Sequence, residues 1–120
     1  MLVSGAPKNL FTKKEYMGRC VPVVAVTGDQ TVAQLTNTAM SQCEQELVQY
    51  NGTDKAKNMI CLVYAKNDQR MPWVAEMQAA WKEGRRTDAE NDRIIELAIS
   101  STTNAMSLKT PDSRYIPVSK

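Results

Sequence analysis

Met59-Ile60-Cys61-Leu62-Val63-Tyr64-Ala65 decides how this chain is read. It is the longest unbroken apolar run, at the middle of the sequence. Asp54-Lys55-Ala56-Lys57-Asn58 precedes it and Lys66-Asn67-Asp68-Gln69-Arg70 follows it. Full burial of a large apolar side chain contributes about 1.5–3 kcal/mol, so the run must be covered whatever its backbone does. As a strand it is a buried one. As a helix it starts from a Thr53 or Asp54 cap and continues to Asn67. Ala56, Met59, Ile60 and Val63 then share one face, with Lys55, Lys57 and Lys66 outside. Periodicity does not separate the two for so short a run. The brief Asn51–Thr53 link suits a helix–helix turn, and the flanking Lys and Ala residues are good helix formers. Those two features favour the helix.

Working outward toward the N-terminus, a helix is expected from about Thr31 to Tyr50, capped by Asp29. Val32, Leu35, Ala39, Cys43 and Leu47 recur at three- and four-residue steps, with Met40 beside them. Its opposite face, Gln34, Asn37, Ser41, Gln45 and Gln49, is polar but nearly uncharged, which eases burial against another protein. Asn51-Gly52 ends it. Before it, Cys20-Val21-Pro22-Val23-Val24-Ala25-Val26 reads as a short strand that Pro22 confines to an edge. Residues 1–19 show no sustained period and are punctuated by Gly5, Pro7 and Gly18.

Toward the C-terminus, Pro72 suits the first position of a helix on which Trp73, Met77, Ala80 and Trp81 form a stripe ending before Gly84. Thr87 and Glu90 fit a capping box. The helix that follows runs to about Ser107 on Ile94, Ile95, Leu97, Ala98, Ala105 and Leu108. Its middle, Ser100-Ser101-Thr102-Thr103-Asn104, is a weak helix former whose small hydroxyl side chains permit another backbone to approach closely. Pro111 and Pro117 exclude helix from residues 109–120, where Tyr115-Ile116 and Val118 suit an extended segment lying in a groove.

The expected fold is therefore mainly α: a bundle of about four helices with a short N-terminal β segment. Residues 1–19 form an extended basic arm, 20–108 the helical domain and 109–120 an extended C-terminal arm. The alternative is α/β, with short strands at 20–26 and 59–65.

Composition narrows the chemistry. The 120 residues contain no histidine, which removes the commonest general acid/base and metal ligand and every Ser-His-Asp or Cys-His arrangement within one chain. Gly28-Asp29-Gln30-Thr31 lacks the glycine spacing and lysine of a phosphate loop. Asp88, Asp92 and Glu96 stand at i, i+4 spacing, but acids favour a first helical turn for electrostatic reasons alone, and Arg85, Arg86 and Arg93 are near enough to pair with them. The three cysteines, Cys20, Cys43 and Cys61, have no metal-site spacing. Cys43 and Cys61 read as reduced core thiols, and only Cys20, beside Arg19, has a basic neighbour to activate it. No catalytic residue, cofactor or metal site is expected. With no apolar stretch of membrane-spanning length and no secretory-signal layout, the chain reads as soluble and intracellular, in a reducing, cytoplasmic compartment.

The function expected is non-catalytic: a structural or assembly subunit that docks on neighbouring subunits through its terminal arms. A self-assembling capsid-like or nucleocapsid-like protein is one specific version. Phe11, Tyr16, Trp73, Trp81, Tyr115 and Ile116 are the candidate protein contacts, since aromatic residues dominate interface energetics. The alternative is a basic adaptor for single-stranded nucleic acid using Lys13, Lys14 and Arg19 on the arm with Arg85 and Arg86 on the loop, Phe11 and Tyr16 supplying stacking surfaces. A net charge of +2 makes this a weak basic footprint. A small α/β ligand-binding domain or enzyme is the third reading.

Overall fold

The computed structural model describes residues 1–11, 21–66 and 69–108. In chain order the elements are β1 (Leu2–Pro7), β2 (Val23–Ala25), α1 (Val32–Asn51), α2 (Thr53–Ala56), β3 (Met59–Lys66), β4 (Gln69–Arg70), α3 (Pro72–Glu83) and α4 (Asp88–Ser107). The strands form one antiparallel sheet in the order β2-β1-β3-β4. The fold is mixed α and β, and the mainly α bundle is wrong. The alternative had the right class, though it named only two of the strands.

The central run is the strand β3. Leu2–Pro7, expected within an irregular arm, is β1, hydrogen-bonded between β2 and β3. Local propensity favoured a helix because the partner lies more than fifty residues away: Val3 pairs with Val63 and Gly5 with Cys61. Sheet formation depends on such neighbours more than on the strand's own residues. The Lys and Ala residues that argued for a long helix are absorbed in α2, a single turn over Thr53–Ala56.

Successive side chains of β3 point to opposite faces. Met59, Cys61 and Val63 join Val3, Leu35, Cys43 and Leu47 in a core against α1. Leu62 joins Leu10, Trp73, Val74, Ile94 and Ala98 in a second core against α3 and α4. Gly5 is required between them. A Cβ there would stand 2.8 Å from Pro22 Cδ and 3.0 Å from Leu47 Cδ2, so any other residue would push β2's lead-in or α1 away from the sheet. Asn91 of α4 binds the chain leaving β1: its Oδ1 accepts from Leu10 N–H (2.7 Å) and its Nδ2 donates to Lys8 O (3.0 Å).

The helix ends follow the expected chemistry with two differences. α1 is capped by Thr31 instead of Asp29, in a reciprocal box with Gln34. Thr87 Oγ1 accepts from Glu90 N–H at 3.1 Å, but the Glu90 carboxylate turns to arginines instead of closing the box.

Cys43 and Cys61 form a disulfide that joins α1 to β3. This corrects the reading of both as reduced thiols, and it removes the cysteine argument for a reducing compartment. Their separation along the chain is 18 residues, and closing a loop of that length stabilises a fold by about 3 kcal/mol. Reduction should therefore add two alkylated cysteines per unfolded chain by mass spectrometry. It should also lower the denaturation midpoint, and a reduced chain of unchanged midpoint would contradict this account.

Beyond β4 no strand among the described residues lies beside the outer edge of β3, and side chains take over. Val63 N–H donates to Thr102 Oγ1 of α4 at 3.0 Å, and Val63 O accepts from Trp73 Nε1 at 2.7 Å. The small hydroxyl stretch of α4 does admit a close backbone, and that backbone is the chain's own β3. Thr102→Val keeps the shape and strands a buried N–H, which costs about 1–3 kcal/mol. Chemical denaturation should show that loss for Thr102→Val and almost none for Thr103→Val, whose side chain faces solvent.

Candidate functional site: a groove at the free edge of the sheet

The register that turns the polar groups of Val63 outward turns those of Cys61 outward too, two residues back along β3. Nothing among the described residues bonds the Cys61 N–H or C=O on that side. This stretch of edge forms the floor of a groove of about 420 Å³ walled by α1 and α4. Met40, Glu44 and Val48 line one wall, Ile99, Thr103 and Met106 the other. Lys8 also reaches it. Cys61 itself is only 3% exposed, while Val48 (47%), Ile99 (41%) and Met106 (37%) stand open to solvent above it.

Each wall is fixed from below. The Cys43–Cys61 disulfide holds α1 against β3, and Thr102 holds α4. At one end Asn37 Nδ2 crosses from α1 and donates to Met106 O of α4 at 3.1 Å. The groove is therefore formed without an occupant. Its features are exposed apolar walls and a buried main-chain donor and acceptor, the combination that binds an extended peptide. Among the described residues no group of three or more His, Cys, Asp or Glu is arranged to hold a metal ion.

The residues singled out from sequence lie elsewhere. Trp73 is buried in the second core, edge-on to Tyr64 with ring centroids 6.2 Å apart. Phe11 is buried and packs on Trp81 at 6.4 Å. Trp81, half-buried, borders a small apolar hollow with Leu10, Met77 and Gln78. Arg86 lies over the Trp81 ring at 4.2 Å and donates to Trp81 O. Arg85 is 2.9 Å from Glu83 and 3.3 Å from Glu90. Both arginines are thus engaged within the molecule. Tyr16, Tyr115, Ile116, Lys13, Lys14 and Arg19 lie outside the described residues.

Sequence reasoning missed the groove because Val48, Ile99 and Met106 sit outside the apolar stripes of their helices. The available signal was those very positions: large apolar residues one step off a stripe already sufficient for the core. No family model matches the chain, and comparison with curated proteins and with solved structures gives no match.

On the far side of the molecule Arg93 bonds Glu90 and, at 3.1 Å, Glu76, tying α3 to α4. The hydrogen bond from Arg93, aided by the nearby charges of Arg93 and Arg85, holds the Glu90 carboxyl below its ordinary value; Arg85 is raised chiefly by its hydrogen bond to Glu83, and Arg93 by its bonds to Glu90 and Glu76. A lowered carboxyl stabilises the fold above the unfolded carboxylate's usual range, and that contribution fades as pH falls through the folded value. Glu90→Gln should therefore flatten the loss of stability on acidification below about pH 4.5. The difference between the two proteins should shrink in high salt because these groups are exposed. Thermal melts from pH 7 to 3 measure both.

Proposed function

We propose that this protein is a non-catalytic assembly subunit whose groove between α1 and α4 accepts an extended apolar segment of a neighbouring subunit. The observation that carries the reading is the unbonded Cys61 main chain beneath Val48, Ile99 and Met106. A buried donor and acceptor left without partners costs about 1–3 kcal/mol each, and a peptide laid along the groove removes that cost while covering the three side chains. Main-chain pairing supplies affinity and the apolar walls supply selectivity. The uncharged outer face of α1, with Ser41, Gln45 and Gln49 exposed, extends the surface available to the same neighbour. A head-to-tail contact of this kind is heterologous and builds rings or filaments; a capsid-like or nucleocapsid-like protein is one specific version of the assembly role. The disulfide favours an oxidising site of assembly. No helix among the described residues is long and apolar enough to cross a membrane, so the partner is sought among proteins.

Sedimentation velocity of the full chain from micromolar to millimolar concentration tests the reading. Larger species should grow with concentration and be lost in Val48→Asp/Ile99→Asp, whose substitutions fall on exposed side chains and leave the thermal midpoint near that of the parent. Assembly that survives the double substitution removes the groove from the account.

A further inference from the structure

Independently of the groove, we propose that the free edge of β2 is a two-fold contact, on which a second copy of this chain lays its own β2 antiparallel and continues the sheet across a dimer. The hydrogen bonds inside the subunit fix which main-chain groups are left over. Pro22 O accepts from Gly5 N–H at 2.9 Å. Val24 stands opposite Val3. Val26 N–H donates to Met1 O at 2.9 Å, and Val26 O accepts from Met1 N at 2.9 Å. Residues 22, 24 and 26 therefore turn their main-chain groups toward β1. The direction alternates from one residue to the next in an antiparallel ladder. Val21, Val23 and Ala25 thus turn theirs to the outer edge, where no strand among the described residues lies beside them. Pro22 stays out of the contact, since the N–H it lacks would face β1.

Three features make the occupant a second copy. The first is symmetry. The outward positions are evenly spaced about Val23, so this short edge is complementary to itself. Across a two-fold axis Val23 faces Val23 of the second copy, and Val21 faces Ala25 of the second copy, each pair exchanging both N–H···O=C bonds. The second is charge. No charged residue occurs from Val21 to Gly28, so two copies meet without repulsion, and the lysines or inward charges that keep an edge unpaired are missing. The third is the exposed face. Val21 is 38% and Val23 60% exposed, and Ala25 is exposed beside them, while Pro22 and Val24 are buried on the other side of the strand. An axis perpendicular to the sheet keeps these exposed faces together, so the side chains of the two copies meet in one apolar cross-strand patch. α1 then lies on the opposite face in both copies, where Val24 packs with Leu35 in the first core.

The test uses the full chain carrying Val48→Asp/Ile99→Asp, which disables the groove, so that the two contacts are read separately. A two-fold contact closes on itself. Sedimentation should therefore show a monomer–dimer equilibrium that stops at the dimer, distinct from the open-ended growth assigned to the groove. Amide hydrogen exchange by NMR reads the register. Val24 and Val26 N–H should be protected at every concentration. Val23 and Ala25 N–H should exchange freely in the monomer, and about tenfold more slowly once nine-tenths of the chains are paired. Val23→Lys and Val23→Asp, each added singly to the same protein, set like charges opposite one another at the axis and should each give monomer. Mixed in equal amounts, the two should give a heterodimer. A protein that stays monomeric to millimolar concentration overturns the proposal. So does a dimer whose Val23 and Ala25 amides exchange as fast as in the monomer, a dimer that survives both charged variants, or one that mixing them does not restore. If a thermal melt shows that the charged variants have lost their fold, the exchange measurement on the protein with Val23 in place decides alone.

Discussion

The outer edge of β3 is the constraint from which this structure follows. β1 satisfies one edge of β3 along six residues, from Leu2 to Pro7. Among the described residues the other edge has only the two-residue β4 at its far end, so the N–H and C=O groups in between need partners from elsewhere. α4 and α3 provide them at Val63 through Thr102 and Trp73. Those bonds explain why a threonine sits buried in a helix of weak formers and why a tryptophan begins α3. Each side chain buries apolar surface and also ends a ladder. The helices are positioned by the strand's unmet hydrogen bonds as much as by the two cores on its faces.

The disulfide has the matching role on the other face. A helix packed on a sheet by side chains alone can slide along it. The covalent link from Cys43 to Cys61 fixes α1 against the same strand whose edge α4 seals. The groove between α1 and α4 is therefore bounded by one covalent and one hydrogen-bonded attachment to β3, two residues apart. Preorganisation of this kind lowers the entropy cost of binding, since neither wall has to be ordered when a segment enters.

What could be read from the sequence followed from local chemistry. α1, α3 and α4 were visible in their stripes, and Pro72, Gly84 and Thr87 marked their ends, because caps and amphipathic periods are properties of neighbouring residues. β1 was hidden. Leu2-Val3-Ser4-Gly5-Ala6-Pro7 has neither a clean alternation nor bulky residues, and only its pairing with β3 makes it a strand. The same missing partner turned β3 into an apparent helix. Two cysteines eighteen residues apart gave no hint of a bond because their proximity is created by α1 crossing the sheet. The groove was hidden for a third reason: it depends on an absence, a stretch of edge that nothing among the described residues covers. Such an absence can be seen only when every other backbone group has been assigned.

Among the described residues the two edges of the sheet differ in how they are protected, and the difference bears on the proposed docking. An open edge invites pairing with any other strand. On the outside, β2 is three residues long and is preceded by Pro22, which limits any added strand to a short contact even though Val23 is 60% exposed. The β3 edge at Cys61 has no proline, and Lys8 and Glu44 reach the groove above it. It is guarded by depth instead: α1 and α4 rise on both sides, so the edge of another sheet is excluded while a single extended segment can enter. Had that stretch needed only protection, a second threonine placed on α4 as Thr102 is for Val63 would have closed it. A bare main chain at the bottom of an apolar recess is the geometry that the proposed docking of a single extended segment requires.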